Sequence, residues 1–218
     1  MLHAPPEQQS TTCTIFSILA IVWRMPEHVD EADTRYTVAS YFALVRAGIV
    51  QPDEHVELLE GVVVAEPPQE PEHSASASQV DRALREAIRT RAAIRVQFPL
   101  VLGQYSAPEP DVAVVPGTEA DYADAHPTTA LLVVEVARSS LPKDRLSKTR
   151  IYAAAGIPEY WLVNLRDDRV EVYRQPNPAA RTYAEPRLAG RGERIALVSF
   201  PDASVAVDDL LPRRTQPL

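Results

Sequence analysis

The stretch LLVVEV, Leu131 to Val136, constrains this chain more than any other. A near-continuous apolar run of that length suits a strand covered on both faces, so it calls for a sheet with layers packed on each side. The exception inside it is Glu135. Side chains alternate along a strand, so Glu135 shares a face with Leu131 and Val133, where a carboxylate is costly unless it is paired or holds a cation. A second acid, Asp111, opens the apolar run DVAVV after Pro108, Glu109 and Pro110. If the two strands are neighbours, both carboxylates converge on one point at a sheet edge. Hard divalent cations need such oxygen ligands, with the remaining positions left to water and phosphate. The competing reading of the spacing is a strand-end acid exposed to solvent or paired with arginine.

The remaining segments supply the layers. TVASYFALVRAG, Thr37 to Gly48, predicts a short helix with an N-cap threonine and a terminating glycine. VELLEGVVVAE, Val56 to Glu66, predicts a hairpin turning near Gly61 and closed by Pro67 and Pro68. From about Ser74 to Arg91, Val80, Ala83, Leu84, Ala87 and Ile88 recur at the spacing of a core-facing helical stripe. Short strands are expected at Ile94 to Phe98 and Asp111 to Val115. A second long helix is expected from Pro142 to Ala155, with Gly156 just past its end. YWLVN (Tyr160 to Asn164) and VEVY (Val170 to Tyr173) read as a hairpin, and two further strands are expected around Arg181 to Leu188 and Ile195 to Val198. Strands interleaved with two or three helices give an α/β or α+β sandwich around a mixed sheet.

Composition narrows the classes. At 218 residues the chain fits one domain. Its single cysteine, Cys13, excludes an intrachain disulfide framework and a four-cysteine zinc site, which points to a reducing, cytoplasmic setting. A net charge of −8 counts against a protein that coats nucleic acid by bulk charge, but not against an enzyme with a local basic surface whose acidic site holds cations. The apolar run Thr12 to Trp23 is too short to span a bilayer and has no basic residue before it, so membrane-span and signal-peptide readings both fail. Residues 1–35 are expected to be a dispensable extension, with Met25 a candidate start, and residues 212–218 a tail.

VELLEG, EPDVAVV, LLVVEV and KTRIYAAAGIPEYWLVN, in this order and spacing, resemble the bacterial putative restriction endonuclease family of the Uma type. That family belongs to the PD-(D/E)XK nuclease superfamily. The resemblance covers about Tyr36 to Leu211, and YAAAGIPEYW is its most specific part. It implies a restriction-endonuclease-like mixed β-sheet flanked by α-helices, and Mg²⁺- or Mn²⁺-dependent hydrolysis of phosphodiester bonds in DNA. Carried over by residue, Pro110 and Asp111 match the first motif and Glu135 the second acid. The usual lysine two residues on is absent, Ala137 standing there; Lys148, thirteen residues after Glu135, takes its place. Glu57 matches a third acid, with Glu60 as its competitor. His73 also matches a family position; as a residue it could be structural, cap the long helix or touch phosphate.

Two basic clusters temper the acidic total. Arg138, Lys143, Arg145, Lys148 and Arg150 form one, and Arg82, Arg85 and Arg89 the other. Arg138, Lys143 and Arg145, with His73, are candidate phosphate contacts, although arginine-bearing helix faces are commonly solvated surface. Tyr152, Tyr160 and Trp161 are expected in the core or an interface. The rival to a metal-dependent endonuclease is the same fold kept as a weakly active or inactive module for DNA binding or dimerisation. The absent strand lysine and the acidic charge lean that way; Asp111, Glu135 and Lys148 together lean toward the enzyme. A homodimer is a further candidate state.

Overall fold

A computed structural model describes residues 35–51, 54–66, 68–138, 140–141 and 144–213. The expectations for residues 1–34, for Met25 as a start and for Lys143 as a phosphate contact lie outside these residues. No helix among them is long and apolar enough to cross a membrane.

The chain begins with α1 (Val38–Arg46). Thr37 caps it, its Oγ1 accepting the Ser40 N–H at 3.1 Å, and Gly48 ends the turn beyond it at φ +66°. Strands β1 (Val56–Leu59) and β2 (Val62–Ala65) form the expected hairpin, a two-stranded sheet of its own. Glu60 and Gly61 both take positive φ, the geometry that matches the twist of paired strands. Helix α2 (Pro71–Ile88) starts three residues before the predicted Ser74, because Pro71 can occupy a first turn that needs no N–H. The shift brings His73 into the helix.

Six strands make the main sheet: β3 (Ala93–Arg95), β4 (Val112–Val115), β5 (Leu132–Ala137), β6 (Glu159–Asn164), β7 (Arg169–Arg174) and β8 (Arg187–Gly190), in that spatial order. All neighbours are antiparallel except β5 and β6. That one parallel pair needs a crossover, supplied by a π-helical turn (Asp144–Lys148) running into the short α3 (Thr149–Ala154). The expected long helix is therefore interrupted near its start. Strands β9 (Arg194–Ala196) and β10 (Ser204–Ala206) form a separate small ladder; β10 was not foreseen, its SVA being too short to carry a pattern.

LLVVEV is covered on both faces, as its composition requires. On one side α2 and the β9–β10 ladder bury Val80, Leu84, Ile88, Val134, Val136, Trp161 and Leu210. On the other, Ile151, Tyr152, Ile157 and Tyr160 close over Ala113, Val133 and Ala137. A third cluster of Tyr41, Val56, Leu58 and Ala107 fastens the β1–β2 hairpin. The fold is thus α/β, a mixed sheet flanked by few helices. Tyr152, Tyr160 and Trp161 are fully buried core residues.

Candidate active site

Three chain segments deliver acids to one end of the sheet. The β4–β5 register pairs Val112 with Val134, and continuing it by one residue sets Asp111 opposite Glu135. Asp111 itself lies just before β4, and its carboxylate turns to the Val136 N–H and to His73 of α2. The hairpin contributes Glu57 from β1, which is fully buried. It is held there by Ala107 N–H donating to the Leu58 carbonyl at 2.8 Å and by the Glu109 N–H donating to Glu57 Oε2 at 3.2 Å.

Lys148 ties these acids together. Its Nζ lies 3.0 Å from Glu135 Oε1, 3.3 Å from Glu57 Oε2 and 3.8 Å from Glu66 Oε1. The side chain is only 4% exposed, so Lys148 is a buried cation and not part of the helix's solvated surface. The π-helical turn makes this reach, since it widens the helix just where Lys148 leaves it; such turns recur at functional sites. Tyr152, one turn on, donates its hydroxyl to Glu135 Oε1 at 2.6 Å. The second oxygen of Glu135 takes no hydrogen bond among the described residues.

Asp111 sits at the rim of the cluster. Its Oδ2 accepts the Val136 N–H at 2.8 Å and faces His73 Nε2 at 3.1 Å, while Gln97 Nε2 reaches Oδ1 at 3.3 Å. Gln97 gets there because β3 ends early. Instead of continuing to Phe98, the chain turns at Gln97, φ +53°, whose N–H is shared between the Pro110 and Asp111 carbonyls.

The electrostatics follow from burial. Desolvation pushes the Glu135 carboxyl well above the usual range, with Asp111, Asp144 and Glu57 adding to the rise and Lys148 opposing it. Burial, then the Glu57 charge, moves Glu109 up to about 7. For Lys148 burial alone favours the neutral amine, but Glu135, Glu57, Asp144 and Glu66 together hold the ammonium form, so its pKa rises. Burial also works against the His73 cation, and the hydrogen bond and charge of Asp111 outweigh it, leaving His73 raised. Repulsion among the acids is therefore secondary to desolvation as the source of these shifts.

The other candidates are placed elsewhere. Glu60 pairs with Arg181 and approaches Arg150, so it belongs to the hairpin's outer side. Arg138 pairs with Glu72 near the surface. Arg145 is held by Glu171 of β7, its Nε at 3.0 Å from Oε2. Of the second arginine cluster, Arg85 binds Asp81 on its own helix at 2.8 Å. Sequence reasoning missed Glu66, Gln97, Glu109, Asp144 and Tyr152. Glu109 opens the matched EPDVAVV and Asp144 lies four residues before Lys148, and an acid in or close to a motif is the one signal that could have marked them.

Among the described residues no three His, Cys, Asp or Glu side chains form a ready-made metal-ligand set. The donor chemistry nevertheless suits a hard cation. Magnesium binds through one or two carboxylates and keeps water or phosphate at its other positions. Asp111 and Glu135, brought side by side by the β4–β5 pairing, are the carboxylates that could serve as such ligands.

A mixed sheet with paired acids and a lysine at one end defines the class of restriction-endonuclease-like nuclease folds. The chain belongs to the Uma2 family, described as a putative restriction endonuclease, whose model matches residues 38–208. Among solved structures it is similar to a putative nuclease belonging to DUF820 from Anabaena variabilis. That match has a TM-score of 0.64 and 17% identity, covering 80% of this chain and 96% of the other. No curated protein matches the sequence.

Proposed function

We propose that this protein is a divalent-metal-dependent endonuclease that hydrolyses phosphodiester bonds in DNA. The observation that carries the reading is the Lys148 ammonium, sealed from solvent between Glu135 and Glu57. Burying a lysine among acids costs desolvation free energy, and a purely structural position of this size is filled as well by apolar side chains.

Asp111 and Glu135 are the residues that would hold Mg²⁺ or Mn²⁺, with Glu57 adjacent. Such an ion, when bound, polarises a phosphoryl oxygen and lowers the pKa of a bound water. The chain's own groups do the rest. Lys148 orients the attacking water or neutralises charge on the phosphate. Tyr152 fixes the rotamer of Glu135 through its hydroxyl. His73, Gln97 and the Val136 N–H fix Asp111, so its carboxylate is oriented before substrate arrives.

The test is incubation of purified protein with plasmid DNA and Mg²⁺ or Mn²⁺, beside Asp111→Ala and Lys148→Ala. Nicking or linearisation by the wild type alone supports the reading. Equal cleavage by all three proteins, or none by the wild type while it still binds DNA, leaves a non-catalytic DNA-binding module as the function.

A further inference from the structure

A patch beside Asp111 is unlike the rest of the surface. Arg95, the last residue of β3, lies over the Phe98 ring at 5.0 Å from its centroid and over the Tyr122 ring at 5.6 Å. Its NH2 group meets His126 Nδ1 at 3.3 Å, and His126 stacks on Phe42 with centroids 5.3 Å apart. Burial, then the nearby Arg95 charge, holds His126 below its usual pKa, so its ring is the neutral acceptor of that contact. Most arginines near structured elements hold a carboxylate: Arg85, Arg91, Arg145, Arg174 and Arg191 all do. Arg95 holds none among the described residues, and its Nε finds no acceptor there.

The neighbouring acid does not neutralise it. Asp121 is committed to Thr118, accepting from its N–H at 2.7 Å and its hydroxyl at 3.0 Å. The same turn fixes Tyr122, whose hydroxyl donates to the Pro116 carbonyl at 2.5 Å. Phe98, in contrast, is 54% exposed, although it directly follows Gln97, which reaches Asp111. A phenylalanine so exposed on an ordered turn is apolar area left without a protein partner.

The placement ties the patch to the site. Arg95 pairs with Ala113 across β3 and β4, two residues from Asp111, and Gln97, between Arg95 and Phe98, reaches Asp111 Oδ1 at 3.3 Å. Diagonal neighbours on paired strands lie about 7–8 Å apart. That is the reach of one nucleotide from a phosphate held at Asp111 and Glu135.

We propose that Arg95, Phe98 and Tyr122 form a subsite for an unstacked nucleotide flanking the scissile phosphate. This inference rests on the nuclease reading above. The base stacks on the exposed Phe98 ring, and the Arg95 guanidinium, oriented by Tyr122 and His126, takes the adjoining phosphate. Aromatic stacking with a cationic partner is how single-stranded nucleic acid is held without sequence readout. The nuclease therefore engages DNA that is single-stranded or locally opened at the point of cleavage.

The test is fluorescence anisotropy of a short labelled oligodeoxynucleotide, single-stranded or in a duplex, in EDTA at low salt. The full chain is compared with Phe98→Ala, Phe98→Tyr and Arg95→Gln. The wild type should prefer the single strand. Phe98→Ala should weaken single-strand binding about ten-fold or more at unchanged melting temperature, with Phe98→Tyr restoring it. Unchanged single-strand affinity in Phe98→Ala, or no measurable binding by the wild type, overturns the subsite. A separate cleavage assay with Mg²⁺ distinguishes the two failures. Binding that falls in the variants without any cleavage sinks the endonuclease reading and keeps the subsite. Cleavage of single-stranded substrate with the same KM in Phe98→Ala does the reverse.

Discussion

Lys148 and Glu135 meet at 3.0 Å inside the protein, and the same ammonium stands 3.3 Å from Glu57 on a hairpin that shares no ladder with the main sheet. One cation therefore joins β1, β5 and the crossover turn. The acids it joins are the ones the proposed chemistry uses, so stability and reactivity are coupled at this point.

Lys148→Ala should destabilise the metal-free protein. Removing one partner of a buried ion pair leaves the other charge uncompensated, at a cost of about 3–5 kcal/mol. At roughly 2–4 °C per kcal/mol for a domain of this size, a fall in melting temperature on the order of 10 °C is expected by calorimetry. The double variant Lys148→Met/Glu135→Gln, which buries no charge at either position, should recover part of that loss.

Glu57 and Glu60 lie three residues apart and separate cleanly by function. Glu57→Gln should abolish cleavage of plasmid DNA, since it removes a charge facing Lys148. Glu60→Gln should leave the rate within a few-fold, because its partners are Arg181 and Arg150. Equal losses from both would place the site elsewhere.

Stability should depend on pH through Glu109. Its folded value of about 7 lies above the ordinary 4.5, so the native state binds the extra proton between those values. Its contribution is present below pH 4.5 and lost as pH rises through 7. His73 acts in the same sense, its contribution being present below 6.5 and lost above its raised value. Melting temperature should therefore fall from pH 5 to pH 8, and Glu109→Gln should flatten that fall.

Millimolar Mg²⁺ or Mn²⁺ should raise the melting temperature by mass action, by about RT ln(1 + [M]/Kd) in free energy. The rise should be absent in Asp111→Ala and in Glu135→Gln. A rise that survives both substitutions assigns the ion to other ligands.

Tyr152→Phe removes the donor to Glu135 at 2.6 Å without changing the shape of the core. Leaving a buried acceptor short of a partner costs about 1–3 kcal/mol. A lower melting temperature by differential scanning fluorimetry, with reduced cleavage at unchanged KM, is the expected outcome.

Much of this was legible in the sequence, for identifiable reasons. Helix α2 announced itself because Val80, Leu84 and Ile88 repeat with a helical period, and β5 because LLVVEV leaves no polar face. The pairing of the strands that carry Asp111 and Glu135 could be expected from their two apolar runs. Lys148 was legible only by resemblance: thirteen residues from Glu135, its burial depends on the crossover path. The Gln97 contact was illegible because it follows from a strand that stops short, and VQFP reads as continuing it. Glu109 and Asp144 carry no periodic signal, and their importance comes from what is packed around them.

The π-helical turn at Asp144–Lys148 has a consequence for how this chain tolerates length changes. A π turn accommodates one residue more than an α turn, and each α-helical residue advances about 100° around the axis. Deleting a single residue from this turn would relax it to ordinary helix and swing the residues on its N-terminal side about a quarter of a circle relative to α3. Lys148, next to Thr149, would keep its place, while Asp144, whose carbonyl accepts the Thr149 hydroxyl, would be re-aimed. Insertions and deletions here thus act as a phase adjustment, taken up ahead of the lysine rather than at it.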